Sequence, residues 1–134
     1  MDIKDIRIFR GRNVYSMRPV IKLTVELTQE QHGPTNRVEG FNDKLLSMFP
    51  GLAAHRCGIG EEGGFVKRLS EGTYPCHVAE HVILELQNML GYDVGFGNTR
   101  QEGDSPVYHI VYRYLNEQVG VACGKAVIGL LNAL

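Results

Sequence analysis

The sequence is poor in cysteine: Cys57, Cys76 and Cys123 are widely spaced, odd in number and form no CxxC pair. That excludes a disulfide framework and points to a reducing compartment. The start, Met1-Asp2-Ile3-Lys4-Asp5, lacks an apolar h-region, so no signal peptide is expected. No apolar run approaches the roughly 20 residues of a membrane span. A cytoplasmic protein without a membrane partner is therefore expected. There is no excess of charge of either sign: the formal net charge is −1. This argues against binding nucleic acid by bulk electrostatics, while leaving local patches open. Phosphate-cradling signatures are missing too, with no G-x-x-x-x-G-K-[ST] and no G-x-G-x-x-G. Gly60-Glu61-Glu62-Gly63-Gly64-Phe65 is glycine-rich but acidic, which repels phosphate. Its Gly-Gly-Phe portion is read as a tight connection.

What is present is the composition of an ordinary globular domain: 134 residues, 43% hydrophobic and 22% charged. Ile3 to Phe9 alternates apolar and charged residues with one slip of register, as a half-buried strand does. Gly11-Arg12-Asn13 is a turn, and Val20 to Leu27 alternates more strictly as a second strand. Thr28 to Gly40 is a polar connection. Phe41 to Phe49 reads as a helix stopped by Pro50-Gly51. Gly58 to Gly64 is a loop, followed by a short helix around Phe65 to Leu69. The main helix runs from about Cys76 to Leu90 and is closed by Gly91. Val94 to Thr99 and Val107 to Tyr114 read as strands. Asn116 to Leu134 is a helix whose Gly120, Ala122, Gly124 and Ala126 permit close packing. The order ββαααββα implies an α+β fold: a mainly antiparallel sheet of about four strands packed with helices.

On a helical wheel, Val78, Ala79, Val82, Ile83, Leu86, Met89 and Leu90 fall within about 140° and form the core face of the main helix. His77, Glu80, His81, Glu85, Gln87 and Asn88 fall on the other side. His77 and His81 are one turn apart, so both imidazoles can reach one point in space. Two histidines at i and i+4 are a standard pair of zinc ligands, and a glutamate beside them can take a proton from a water activated by the metal. The order here, H-x-x-E-H, is the inverted form of the zincin motif. Glu80 is then the general base, and the reaction is attack of hydroxide on an amide carbonyl. A polar helix face also carries His and Glu by chance. Leu84 argues against that here: a leucine in the middle of the polar face suggests that the face is covered, and covered polar groups need partners.

A catalytic zinc takes a third protein ligand. Glu85 lies one turn beyond His81, but three ligands on one straight helix converge poorly. Glu117, near the start of the last helix, is the preferred candidate, with His109, Cys57 and Cys76 as alternatives. Cys76 also reads as a small buried residue at a helix start, and Cys123 as a packing residue. His32 and His55 have no motif around them and read as loop or cap residues.

A set of motifs gives the chain a family resemblance. They are Arg10-Gly11-x-Asn13, His55-Arg56-Cys57, Gly63-Gly64-Phe65, Glu71-Gly72-Thr73-Tyr74, His77-Val78-Ala79-Glu80-His81-x-x-Leu84-Glu85-Leu86-Gln87 and Val94-Gly95-Phe96-Gly97-x-Thr99-Arg100. Val107-Tyr108 and the Tyr114 to Gly120 segment complete the set. The chain resembles, over nearly its whole length, the N-terminal domain of cyanophycin synthetases. Arg12, where proline is usual, and Cys76, where glycine is common, depart from the pattern. The resemblance implies a parent enzyme that uses ATP and magnesium to build a poly-aspartate chain with arginine on each side-chain carboxylate. Its ligation reactions would belong to ATP-grasp and Mur-ligase-like domains outside residues 1–134. It also implies a domain that holds the polymer, and in some members cuts it to make primers. Glu61, Glu62 and Glu102 are then candidates to meet guanidinium groups, and Arg100 and Arg113 to meet α-carboxylates. Expected partners are the polymer and the ligase domains, with oligomers possible through the latter. The expected cofactor of this domain is zinc.

Overall fold

Alternation on the first two strands builds one face of a sheet. In the computed structural model, which describes residues 1–56 and 61–134 (the side chain of Arg37 excepted), they are β1 (Asp2–Phe9) and β2 (Val20–Glu26). β1 pairs antiparallel with β2, and the slip of register in its sequence is a bulge between Ile3 and Asp5. The bulge keeps Ile3, Ile6 and Ile8 opposite Val25, Leu23 and Ile21, all on one side of the sheet. β3 (Gly97–Gln101) and β4 (Val107–Arg113) complete an antiparallel sheet of order β1-β2-β4-β3. β3 begins three residues later than its apolar run suggested, because Val94 is buried in the connection before the ladder starts.

The helices are α1 (Phe41–Met48), α2 (Gly64–Glu71), α3 (Pro75–Met89) and α4 (Glu117–Ala133). Three short 3-10 turns accompany them: Gln29–His32, Thr35–Arg37 and Pro50–Ala54. The expected α+β order and antiparallel sheet are both present. α3 and α4 lie side by side on the sheet face that carries Ile21, Leu23, Val25, Tyr108, Ile110 and Tyr112. α4 comes close because Gly120 and Gly124 have no side chain there. A Cβ on Gly120 would stand 2.8 Å from both Ile21 Cδ1 and Tyr114 Cβ, and one on Gly124 would run into the Tyr112 hydroxyl. That hydroxyl instead donates to the Gly120 carbonyl at 2.8 Å. Asn116 caps α4 by accepting from the Val119 amide, satisfying a donor the helix leaves orphaned.

Pro75 occupies the first turn of α3, where its missing N–H costs nothing. Gly91, at φ 96°, closes the other end. Met89 and Leu90, expected on the core face, are each 57% exposed, because the last turn of α3 runs past the sheet. α1 and α2 gather around the Pro50–Ala54 turn, which also touches α3. Gly63, at φ 84°, makes the sharp entry into α2 that an L side chain would strain. The helix of the histidines is thus flanked by β3 on one side and by α2 with the Pro50–Ala54 turn on the other. Among the described residues no helix is long and apolar enough to cross a membrane.

Candidate metal centre

The polar face of α3 is covered, as Leu84 suggested. Leu84 is buried, and so are Glu80, His81 and Gln87 on the same helix. The helical repeat brings His77 Nε2 and His81 Nε2 to 3.2 Å from each other. Glu80 Oε2 lies 3.7 Å from His81 Nε2. One ligand atom from each of the three residues lies within 4.8 Å of the others. Two nitrogens bound to one tetrahedral zinc at 2.0–2.1 Å stand about 3.3 Å apart, so the imidazole pair fits the ion in donor type and spacing.

Each group is held from another element. Phe65 of α2 stacks on His81 at 4.0 Å between ring centroids and meets His77 edge-on at 5.7 Å. The Thr73 hydroxyl is 2.7 Å from His77 Nδ1. The Thr99 hydroxyl of β3 donates to Glu80 Oε1 at 2.6 Å. Gly97 of β3 leaves room for this carboxylate: a Cβ there would stand 2.7 Å from Glu80 Cγ.

Burial sets the protonation states. It lowers His81 to about 3, with His77, His55 and Arg68 adding to the effect. It lowers His77 to about 4, with help from the Arg68 charge. Both imidazoles are therefore neutral near pH 7, the form in which an imidazole binds a metal. Burial pushes the Glu80 carboxyl up to about 7, and the Thr99 hydrogen bond pulls partly against it. A carboxyl poised near neutrality suits a group that takes and returns a proton.

The cluster opens into a groove of about 790 Å³ between α3 and β3. Arg56, Arg68 and the half-exposed ring of Tyr74 stand on its rim.

The other expected site residues lie elsewhere. Glu117 is clamped by Arg10, at 2.7 Å from Nε and 3.2 Å from Nη2, and is not brought to the histidines. α4 starts beyond β4 at the Arg10 end of β1, so its first turn faces the β1–β2 connection. His109 lies between Thr24 and Glu102 on the sheet face turned away from the helices. Arg100 stands opposite His109 in the register, and Arg113 shares its parity, so both belong to that far face. Glu61 and Glu62 are exposed just before α2. Cys76 is buried, its thiol pushed up to about 12, and it does not join the group formed by His77, Glu80 and His81. Cys57, with Gly58 and Gly60 of the acidic glycine-rich stretch, lies outside the described residues.

Sequence reasoning missed His55. It caps the Pro50–Ala54 turn, as expected, but its side chain does more: its Nδ1 is 3.1 Å from His81 Nδ1 and its Nε2 is 3.1 Å from Glu85 Oε1. Thr73, Thr99 and Phe65 were missed as supports of the cluster. Thr73 alone had a local signal, four residues before His77 and thus one turn below it.

Residues 22–134 match the model of the cyanophycin synthase-like N-terminal domain. The chain belongs to that family. The whole chain is 38% identical, over 136 aligned residues, to cyanophycin synthetase of Synechocystis sp. and to that of Crocosphaera subtropica. It is 35% identical to that of Geminocystis herdmanii. It spans 16% of the length of each of these curated relatives. The cyanophycin synthase-like N-terminal domain here carries the H-x-x-E-H cluster on its one long groove-lining helix.

Proposed function

We propose that this domain acts on cyanophycin as a zinc-dependent amidohydrolase that shortens the polymer and so makes primers for a parent synthetase. The observation that carries the reading is the convergence of His77, Glu80 and His81 in an open groove, with both histidines neutral and the carboxyl poised at about 7. His77 and His81 would hold the ion through Nε2, as two of the three protein ligands that a catalytic zinc takes. Bound zinc supplies Lewis acidity, lowering the pKa of a water toward neutrality. Glu80 accepts the proton of the attacking water and returns it to the amine that leaves. Thr99 holds the Glu80 carboxylate through Oε1, so that Oε2 remains on the histidine side. Phe65 keeps bulk water from the outer face of His81. Arg56 and Arg68 offer guanidinium groups to polymer carboxylates on the rim.

Incubation of the chain with cyanophycin and zinc tests this. The expected result is shortening of the polymer by the wild type, none by Glu80→Gln, and zinc retained by that variant. No shortening by the wild type sinks the reading. Loss of zinc in Glu80→Gln would make Glu80 a ligand and leave the reaction without its base.

A second reading is supported by the rim. An open groove edged by two arginines and an aromatic ring suits holding a charged polymer without cutting it. The domain would then raise the local concentration of polymer for ATP-grasp and Mur-ligase-like domains of the same synthetase, which would carry the ATP- and magnesium-dependent steps. Binding of cyanophycin that is unaffected by zinc and by Glu80→Gln, with no cleavage, would favour it.

A further inference from the structure

Glu85 and His55 are absent from the proposed chemistry, yet both are largely buried, with side chains 12% and 13% exposed. They form a chain of contacts that ends on a proposed zinc ligand: Glu85 Oε1 to His55 Nε2 at 3.1 Å, then His55 Nδ1 to His81 Nδ1 at 3.1 Å. An ionised carboxylate only accepts, so the proton of a neutral His55 sits on Nε2. His55 Nδ1 is then a lone pair, and it must accept from His81. His81 therefore carries its proton on Nδ1 and turns the Nε2 lone pair toward His77 Nε2, 3.2 Å away. In the metal-free chain His77 Nε2 then donates to that lone pair, and the Thr73 hydroxyl, which can donate or accept, serves His77 Nδ1 in either tautomer.

The packing is arranged to keep this chain in register. The Glu85 carboxylate lies over Gly51, where any Cβ would collide with it. The same short turn, Pro50–Ala54, leads directly into His55. Phe65 stacks on the His81 ring with an interplanar angle of 21°, which stops the ring from turning over. We infer that Glu85 and His55 are positioning residues that lock His81 in the Nδ1–H tautomer, so that its Nε2 lone pair is presented to the metal.

This rests on the metal centre proposed above, and the test separates the two. The readouts are the ¹⁵N shifts of His81 in the metal-free chain at pH 8 and the zinc affinity by competition with a chromophoric chelator. The wild type is expected to show a protonated Nδ1 and a bare Nε2 on His81. Glu85→Met removes the acceptor, should mix the two His81 tautomers and should weaken zinc binding about 10- to 100-fold. His55→Phe should do the same. His55→Asn, whose amide oxygen can replace Nδ1 as acceptor, should restore the tautomer and most of the affinity. Circular dichroism of each variant shows whether it is folded, and the Asn and Phe pair keeps the comparison at one position. A wild-type His81 protonated on Nε2, or equal loss in Asn and Phe, overturns the relay; equal loss would make His55 a ligand. The predicted tautomer without any zinc binding would sink the metal centre while leaving the relay standing.

Discussion

Glu80 is held between two opposing influences. Burial favours its protonated form, and the 2.6 Å hydrogen bond from Thr99 favours the ionised one. Removing the hydroxyl should therefore let burial act alone. Thr99→Val is isosteric, and the expected outcome is a Glu80 carboxyl that titrates above its present value of about 7. A pH titration of the ¹³C carboxyl resonance in the metal-free chain checks this; an unchanged or lowered midpoint would refute it. The proposed hydrolysis should move with it, its rise with pH displaced to the alkaline side. The variant loses one net hydrogen bond, worth about 1 kcal/mol of stability, so it should remain folded.

At the scale of elements, glycines decide how closely strand and helix approach, and they do so for two different ends. Gly124 lets α4 rest on the Tyr112 hydroxyl and Leu23 of the sheet. Gly124→Val should force α4 outward, break the Tyr112–Gly120 bond and cost about 2–4 kcal/mol in urea denaturation, with the Glu80 cluster intact. Gly97 instead makes space for the Glu80 side chain. Gly97→Ala should cost less stability than Gly124→Val and more hydrolysis, because what must move is a carboxylate and not a helix. If zinc-supported cleavage proves equal in Gly97→Ala and the wild type, β3 does not position that carboxylate. The periodicities behind these elements are local, and so they were readable. Alternation gave β1 and β2, and its one slip of register marked the bulge after Ile3; the small residues of α4 announced its close packing; Leu84 announced a covered polar face. What depends on contacts between distant segments was not readable. His55 reaches His81 across 26 residues, through a turn whose direction no pattern encodes. Glu117 was chosen for its chemistry, and only the docking of α4 puts it beside Arg10, 107 residues away in sequence.

For the whole molecule, the buried cluster makes stability depend on pH, and on the acid side a metal would strengthen that dependence. His77 and His81 have folded values of about 4 and about 3 against 6.5 for the free side chain. As the pH falls below 6.5 the unfolded chain takes up protons on both and the folded chain does not, so stability declines down to the folded values. Glu80 works in the opposite sense. Its folded value of about 7 lies above the ordinary 4.5, so the folded chain holds a proton that the unfolded chain has lost, and stability declines as pH rises from 4.5 to 7. In the window where the two overlap, two histidines outweigh one carboxyl, by about 1 kcal/mol per pH unit. The metal-free protein should therefore lose stability on acidification below pH 6.5. Glu80→Gln removes the offsetting group, so its acid loss should be steeper between pH 6.5 and 4.5. At pH 8 the same variant should be more stable than the wild type by a few kcal/mol, since it no longer buries an ionised carboxylate. Urea denaturation at a series of pH values, with chelator present, measures both slopes. Zinc should then raise the wild type more than it raises His81→Ala, because the variant lacks one of the two imidazoles proposed to hold the ion and so binds it more weakly when folded. A Glu80→Gln variant less stable than the wild type at pH 8 without metal would mean that the carboxylate is paired in the folded chain. The cost of its burial, on which the assignment of Glu80 as a base poised near neutrality depends, would then be absent.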